Sequence, residues 1–285
     1  MPLLHQMYFQ GRWERDYLLY LPVNYQPNPA HPIPLLIALH GGGGHAQGMI
    51  KLTQEGFHRL ADEYRFAVAY PNGIGRQWND GRFEMRGGRQ IDDVGFMREL
   101  IDLLSGHYSL DRERVYVTGI SNGGHMAYRL ASDLPDRISG IGVVAALMPA
   151  QLALPSRPVP MLTIHGTDDP LVPYKGGAVQ VGMLQRGAVR SAMETLRVWA
   201  EANRCGGEPS TELLDDVDPS DRMSVQRTLY RDCMAPVVLY TVIGGGHTWP
   251  GGWQYLGERM IGKTSRDIDA CQVIWEFFRS LDEQG

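Results

Sequence analysis

Residues 114–133 read RVYVTGISNGGHMAYRLASD. An apolar run, Arg114–Thr118, leads into Gly119-Ile120-Ser121-Asn122-Gly123, and a helical pattern leads out. This is a G-x-S-x-G pentapeptide between a strand and a helix, the setting in which a strained turn presents a serine as a nucleophile. The glycines leave room where the backbone passes close to neighbouring elements. Ser121 also stands at the positive end of a helix, which favours developing negative charge. The chain has 34 glycines, so the bare pentapeptide is weak evidence, and the flanking elements carry the inference.

Outward from this stretch, short apolar runs alternate with amphipathic helices. Leu35–Leu39, Phe66–Tyr70, Arg114–Thr118, Ile141–Leu147, Pro160–His165 and Val237–Ile243 read as strands buried on both faces. Asp16–Leu21 reads as an edge strand closed by Pro22. In Ile91–Ser105, Val94, Met97, Ile101 and Leu104 lie on one helical face, with Gly106 as the stop. Val189, Met193, Leu196 and Ala200 form a stripe within Gly187–Asn203, and Ile268, Cys271, Ile274, Phe278 and Leu281 form the last. The alternation predicts an α/β fold with a mostly parallel central sheet and helices on both faces. Its length suits one catalytic domain over residues 1–285. The segments Asn72–Gln90, Pro170–Arg186 and Gly206–Arg222 read as long loops, which are often functional.

Composition narrows the function classes. A formal net charge of −5 argues against a nucleic-acid partner. No apolar run reaches the roughly 20 residues of a membrane span. Met1–Gly11 lacks the pattern of a signal peptide; without a leader the chain is expected in the cytoplasm, and with one removed earlier it would be secreted. Cys205, Cys233 and Cys271 have no CxxC spacing, so no zinc or redox motif is expected. Cys271 falls on a core-facing stripe.

A serine nucleophile needs a base, and the base needs an orienting acid. When the serine sits on such an elbow, the chain order is Ser, then Asp or Glu, then His. Only His125, His165 and His247 follow Ser121. His125 lies within the helix leaving the elbow, and His165 ends a strand, where a structural role is expected. His247 lies in GGGHTWPGG (244–252), a loop that can carry the ring to the serine. The acid is Asp168 or Asp169 in HGTDDP (165–170); the other serves as a turn or cap residue. LHGGGG (39–44) follows an early strand and offers backbone N–H groups for an oxyanion. The assignment is Gly42 with Asn122, Gly43 being the alternative. A dinucleotide-binding turn fits badly, because the next strand ends in Pro71-Asn72 rather than an acid. A P-loop is excluded, because no Gly-Lys-Ser/Thr follows.

With YLLYLP (17–22), LHGGGG (39–44), DDVGFMRELID (92–102), GISNGGHMAYRLA (119–131), HGTDDPLVPY (165–174), WAEANRC (199–205), GGGHTWPGG (244–252) and IWEFF (274–278) in order, the chain resembles the polyhydroxybutyrate depolymerase and feruloyl esterase family of α/β-hydrolases. The resemblance implies Ser121 as nucleophile, His247 as base and Asp169, the aspartate before proline, as acid. It also implies a Cys205–Cys233 disulfide. Relatives often carry cysteines in the segment 78–89, whereas this chain carries Arg76, Arg82, Arg86 and Arg89 in and beside it, read either as a rim for an acidic or phenolic ester or as solvated surface.

The resemblance implies hydrolysis of feruloyl (hydroxycinnamoyl) esters or of short polyester or hydroxyalkanoate esters, and the expected reaction is acyl transfer from such a small-molecule or polymer-linked ester to water, with no metal or organic cofactor. Trp249, Trp253, Trp78 and Tyr174 are candidate substrate contacts, packing being the alternative for the tryptophans. The rival readings are an acyltransferase on the same fold, an acetyl xylan esterase, or a non-catalytic binding module. Sequence assigns no oligomeric state.

Overall fold

The computed structural model describes residues 3–82 and 91–283. In chain order the elements are β1 (Leu4–Gln10), β2 (Trp13–Tyr20), β3 (Ile33–Leu39), α1 (Ala46–Leu52), α2 (Gly56–Tyr64), β4 (Ala67–Pro71), α3 (Asp93–His107), β5 (Leu110–Ile120), α4 (Asn122–Asp133), β6 (Gly140–Val144), β7 (Met161–Gly166), β8 (Gly177–Val181), β9 (Leu184–Val189), α5 (Ala192–Ala202), β10 (Gly206–Leu213), β11 (Ser224–Arg231), β12 (Val237–Ile243), α6 (Glu258–Ile261) and α7 (Ala270–Asp282). Ten strands form one sheet in the order β1-β2-β4-β3-β5-β6-β7-β12-β11-β10, and β8 pairs with β9 apart from it. The six strands from β4 to β12 run parallel. Two antiparallel strands flank them at each end. This is the α/β-hydrolase fold.

Strand alternation distributes the core between two layers. Leu35, Ile37 and Leu39 of β3 face one side with α3, α4 and α5, whose Leu100, Leu130 and Trp199 are fully buried. Leu36 and Ala38 face the other, with α1, α2 and α7 supplying Ile50, Phe57 and Ile274. Because both faces are covered, the central strands read as continuous apolar runs.

Several sequence expectations need correction. Residues 16–20 belong to β2, which starts at Trp13, ends before Leu21 and is not an edge: β1 pairs outside it through a Gly11-Arg12 turn. Gly106 does not stop α3, which continues to His107. Val189 lies in β9, and Met193 is 47% exposed; Ser191 caps α5 by accepting from Glu194 N–H, so the buried stripe is Leu196, Trp199 and Ala200. Ile268 precedes α7, which Asp269 caps. The apolar run after Gly140 leaves the sheet at Val144, although Ala145–Met148 stay buried. The segments 170–186 and 206–222 are not plain loops: they hold β8, the start of β9, and β10. Edge strands such as β10 face solvent on most of their residues, so they carry no apolar alternation to read. Cys205 and Cys233 are disulfide-bonded, and Cys271 is a buried free thiol. Among the described residues no helix is long and apolar enough to cross a membrane.

Candidate active site

Parallel strands deliver their following loops to the same sheet edge. The loops after β3, β5, β7 and β12 carry Gly41–Gly44, Ser121, Asp169 and His247 respectively. Register ties these ends together: Leu39 pairs with Gly119, Ile120 with Val144, Val144 with Ile164, and Gly166 with Val242.

Ser121 sits between β5 and α4 with φ 56° and ψ −122°. A serine held at positive φ is strained, as a nucleophile elbow requires. Its N–H donates to Val144 O at 3.0 Å. The neighbouring glycines are there for space. A Cβ on Gly119 would lie 2.6 Å from the carbonyl carbon of Gly123, and one on Gly123 would lie 2.5 Å from His40 O.

The acid loop separates the two aspartates. Asp169 is 6% exposed, and its Oδ1 accepts from the N–H groups of Leu171 and Val172, both at 2.8 Å. Its Oδ2 lies 2.7 Å from His247 Nδ1. Asp168 is exposed, and among the described residues its carboxylate takes only the Thr167 hydroxyl. Burial disfavours the Asp169 carboxylate, but the charge and hydrogen bond of His247, with His165 and the Val172 N–H, outweigh it and hold the carboxyl below its usual range.

His247 is 1% exposed. Its loop is fastened on both sides: Gly246 N–H donates to Lys263 O, His247 N–H to Ile261 O, and Tyr255 OH to His247 O. His165 plays the structural part expected of it, its Nε2–H donating to Val172 O at 2.9 Å while lying 3.6 Å from Asp169 Oδ2. Burial keeps both His165 and His125 below the ordinary imidazole pKa.

In the β3 loop, Gly43 N–H donates to Arg76 O and Gly44 N–H to Gly41 O, which removes Gly43 as an oxyanion donor. The N–H groups of Gly42 and Asn122 donate to none of the described residues. A Cβ on Gly41 would lie 3.5 Å from Ser121 Cβ, so this loop borders the serine.

Two expected substrate contacts lie elsewhere. Trp249 is fully buried against Phe57, and Trp78 is fully buried with its indole N–H on His40 O. Neither has an open face for a substrate, and both serve packing. Tyr174 stays partly exposed, its hydroxyl on Thr241 Oγ1. Trp253 is 41% exposed with the Lys51 ammonium 3.8 Å over its ring. Of the arginines, Arg76 is exposed, whereas Arg82 is buried in an ion pair with Asp80 and is neither rim nor solvated surface. Arg86 and Arg89 lie outside the described residues.

Sequence reading missed Gln77 and Asp80. The Gln77 side-chain amide lies over Gly42, 3.1 Å from where a Cβ would stand. Asp80 accepts from the Asn122 side chain. Both sit in an irregular segment whose only sequence signal was its length.

A serine on a strained elbow and a carboxylate-bound histidine on one edge of this sheet define the class: a hydrolase of the α/β-hydrolase fold. Comparison with known proteins specifies it further. The family profile described as "Putative esterase" matches residues 11–254. "Putative esterase NocK" of Nocardia uniformis subsp. tsuyamanensis is 32% identical over 86% of this chain and 73% of its own length. Feruloyl esterase B of Piromyces equi is 30% identical over 79% of this chain, which spans only 42% of that protein. The acetyl xylan esterase of Aspergillus awamori superposes with a TM-score of 0.55 over 82% of this chain and 89% of that one; at 17% identity the likeness speaks of fold alone. The chain belongs to the esterase family and is a carboxylic ester hydrolase.

Proposed function

We propose that the chain, acting as one catalytic domain, hydrolyses hydroxycinnamoyl esters such as feruloyl esters through an acyl-enzyme on Ser121. His247 takes the Ser121 proton as the oxygen attacks the ester carbonyl, then returns it to the leaving alcohol. Asp169 holds the imidazole with its proton on Nδ1 and stabilises the imidazolium. The N–H groups of Gly42 and Asn122 bind the oxyanion; each such donor is worth about 3–4 kcal/mol of barrier. Water then cleaves the acyl-enzyme by the same proton path. Of the four candidate aromatics, Tyr174 and Trp253 keep exposed surface with which to line the ester.

The observation that carries this reading is the 2.7 Å contact between His247 Nδ1 and an Asp169 carboxylate whose other oxygen is fixed by two backbone N–H groups. The substrate class is supported by relatives named feruloyl esterase, among them probable feruloyl esterase C of Aspergillus clavatus, 26% identical over 93% of this chain. A second reading, deacetylation of xylan, is favoured by a 29% identical segment of a bifunctional acetylxylan esterase/xylanase from Neocallimastix patriciarum. The test is hydrolysis of methyl ferulate, acetylated xylan and a hydroxybutyrate oligomer by wild type and Ser121→Ala. Preference for methyl ferulate, lost with Ser121, is expected. Equal activity in both proteins refutes the nucleophile assignment, and preference for acetylated xylan moves the substrate to the second reading.

A further inference from the structure

Asn122 offers its backbone N–H at the elbow, yet its side chain is fully engaged elsewhere. The residue is 4% exposed. Its Oδ1 accepts from Trp78 N–H at 2.7 Å, and its Nδ2 donates to Trp78 O at 3.0 Å and to Asp80 Oδ2 at 2.6 Å. The amide therefore grips the Trp78 backbone at both polar atoms. From Trp78 the chain of contacts runs on: its indole N–H donates to His40 O at 2.9 Å, at the root of the loop that carries Gly42.

Asp80 closes the arrangement. It is 1% exposed, and its Oδ2 takes Arg82 Nε at 3.0 Å and Nη2 at 2.7 Å as well as the Asn122 amide. Its Oδ1 takes the Arg82 N–H. The intervening Asn79 is pinned from both sides, its N–H donating to Asp93 Oδ2 and its carbonyl accepting from Arg129. Asp93 in turn pairs with buried Arg15. Burying an ion pair adds little net stability, since desolvation offsets the attraction. What such a hydrogen-bonded pair does supply is a fixed geometry.

We propose that Asp80 and the Asn122 side chain form a positioning clamp. Through Trp78 it holds the elbow N–H and the Gly42 loop at the spacing an oxyanion needs. Asp80 is a positioning residue and touches no reacting atom. The inference rests on the reading of Gly42 and Asn122 as oxyanion donors.

The test is Asn122→Asp, with Asp80→Asn beside it. In Asn122→Asp a second carboxyl meets Asp80 at hydrogen-bond distance, and the neighbouring negative charge raises the pH at which the second of the two ionises. Protonated, the new carboxyl gives its single proton to Asp80 and still accepts from Trp78 N–H, losing only the bond to Trp78 O; ionised, it pushes the clamp open. Among the described residues the other charged or titratable groups nearby are Arg82, Arg129, Asp93, Arg15, His40, His125 and His247. They are present in both proteins, so their titration is controlled by the ratio of variant to wild type at each pH. The expected kcat ratio is down by up to about 100-fold at about pH 8 and recovers as pH falls. KM stays near wild type, and affinity for a phenylboronic acid, whose tetrahedral serine adduct occupies the oxyanion site, falls in step with kcat. Asp80→Asn is expected to lower kcat and boronate affinity together.

Wild-type kcat and boronate affinity in both variants overturn the proposal. So does a loss that is flat in pH and follows the melting temperature, or failure of both variants to fold, since each assigns the clamp to stability alone. Ser121→Ala, run in parallel, separates the two levels. If it still hydrolyses ester, the triad reading is wrong; if it is inactive while the clamp variants match wild type, only the clamp falls.

Discussion

Asp169→Asn is the perturbation whose consequence the geometry specifies most closely. Oδ1 of Asp169 accepts two backbone N–H groups at 2.8 Å. An amide nitrogen cannot take that place, because it would set donor against two donors. The new side chain must therefore keep its oxygen there and turn its NH2 toward His247 Nδ1, 2.7 Å away. His165 offers no escape, since its Nε2–H is directed at Val172 O. Facing a donor, Nδ1 of His247 must become an acceptor, which moves the ring proton to Nε2. The imidazole then has no lone pair toward Ser121. A wrong-tautomer histidine of this kind costs a serine hydrolase about 10⁴-fold in kcat, or about 5.4 kcal/mol of barrier. The measurement is kcat on a chromogenic butyrate ester near neutral pH, with thermal unfolding to show that the variant is folded. Asp168→Asn is the matched control: its carboxylate is exposed and takes one hydroxyl, so kcat is expected within about 2-fold of wild type. An Asp169→Asn enzyme within tenfold of wild type, or a larger loss in Asp168→Asn, refutes the reasoning.

Other expectations follow from burial and close approach. Burial pushes the His40 pKa down to about 4, and Gly73 N–H donates to its Nε2, which favours the neutral ring. Between about pH 6.5 and 4 the unfolded chain binds a proton that the native one refuses, so stability falls as pH falls through this window, by about 3 kcal/mol for His40 alone. His125 and His165, also lowered, add to the loss. Urea unfolding at stepped pH measures it, and His40→Gln should flatten the slope. Gly123→Ala presses a methyl onto the carbonyl oxygens of Leu39 and His40; an overpacking loss of about 1–3 kcal/mol or more is expected in urea unfolding. Replacing both Cys205 and Cys233 by serine opens a loop of sequence separation 28 and should cost about 3–4 kcal/mol of stability. Their absence from the active site leaves kcat at 25 °C unchanged, so a large kcat loss in the folded variant contradicts this placement.

The sequence by itself determined the fold class, because six strands buried on both faces have to be nearly pure apolar runs and the pentapeptide fell between one of them and a helix. It also nominated Ser121 and His247 through residue type and chain order. It did not separate Asp168 from Asp169 by chemistry: adjacent in the chain, they differ only in which way a turn directs each side chain, and the structure buries one against His247 and leaves the other in solvent. The edge strands β1 and β10 escaped for a related reason. An edge strand exposes much of its surface, so its residues are not constrained to be apolar. The same limit left the choice between packing and substrate contact open for Trp78 and Trp249, and it hid the Asp80–Asn122 contact. Residues 80 and 122 are separated by a helix and a strand, and only the folded sheet sets them at 2.6 Å; a single polar residue in an irregular segment carries no periodicity that would announce its partner.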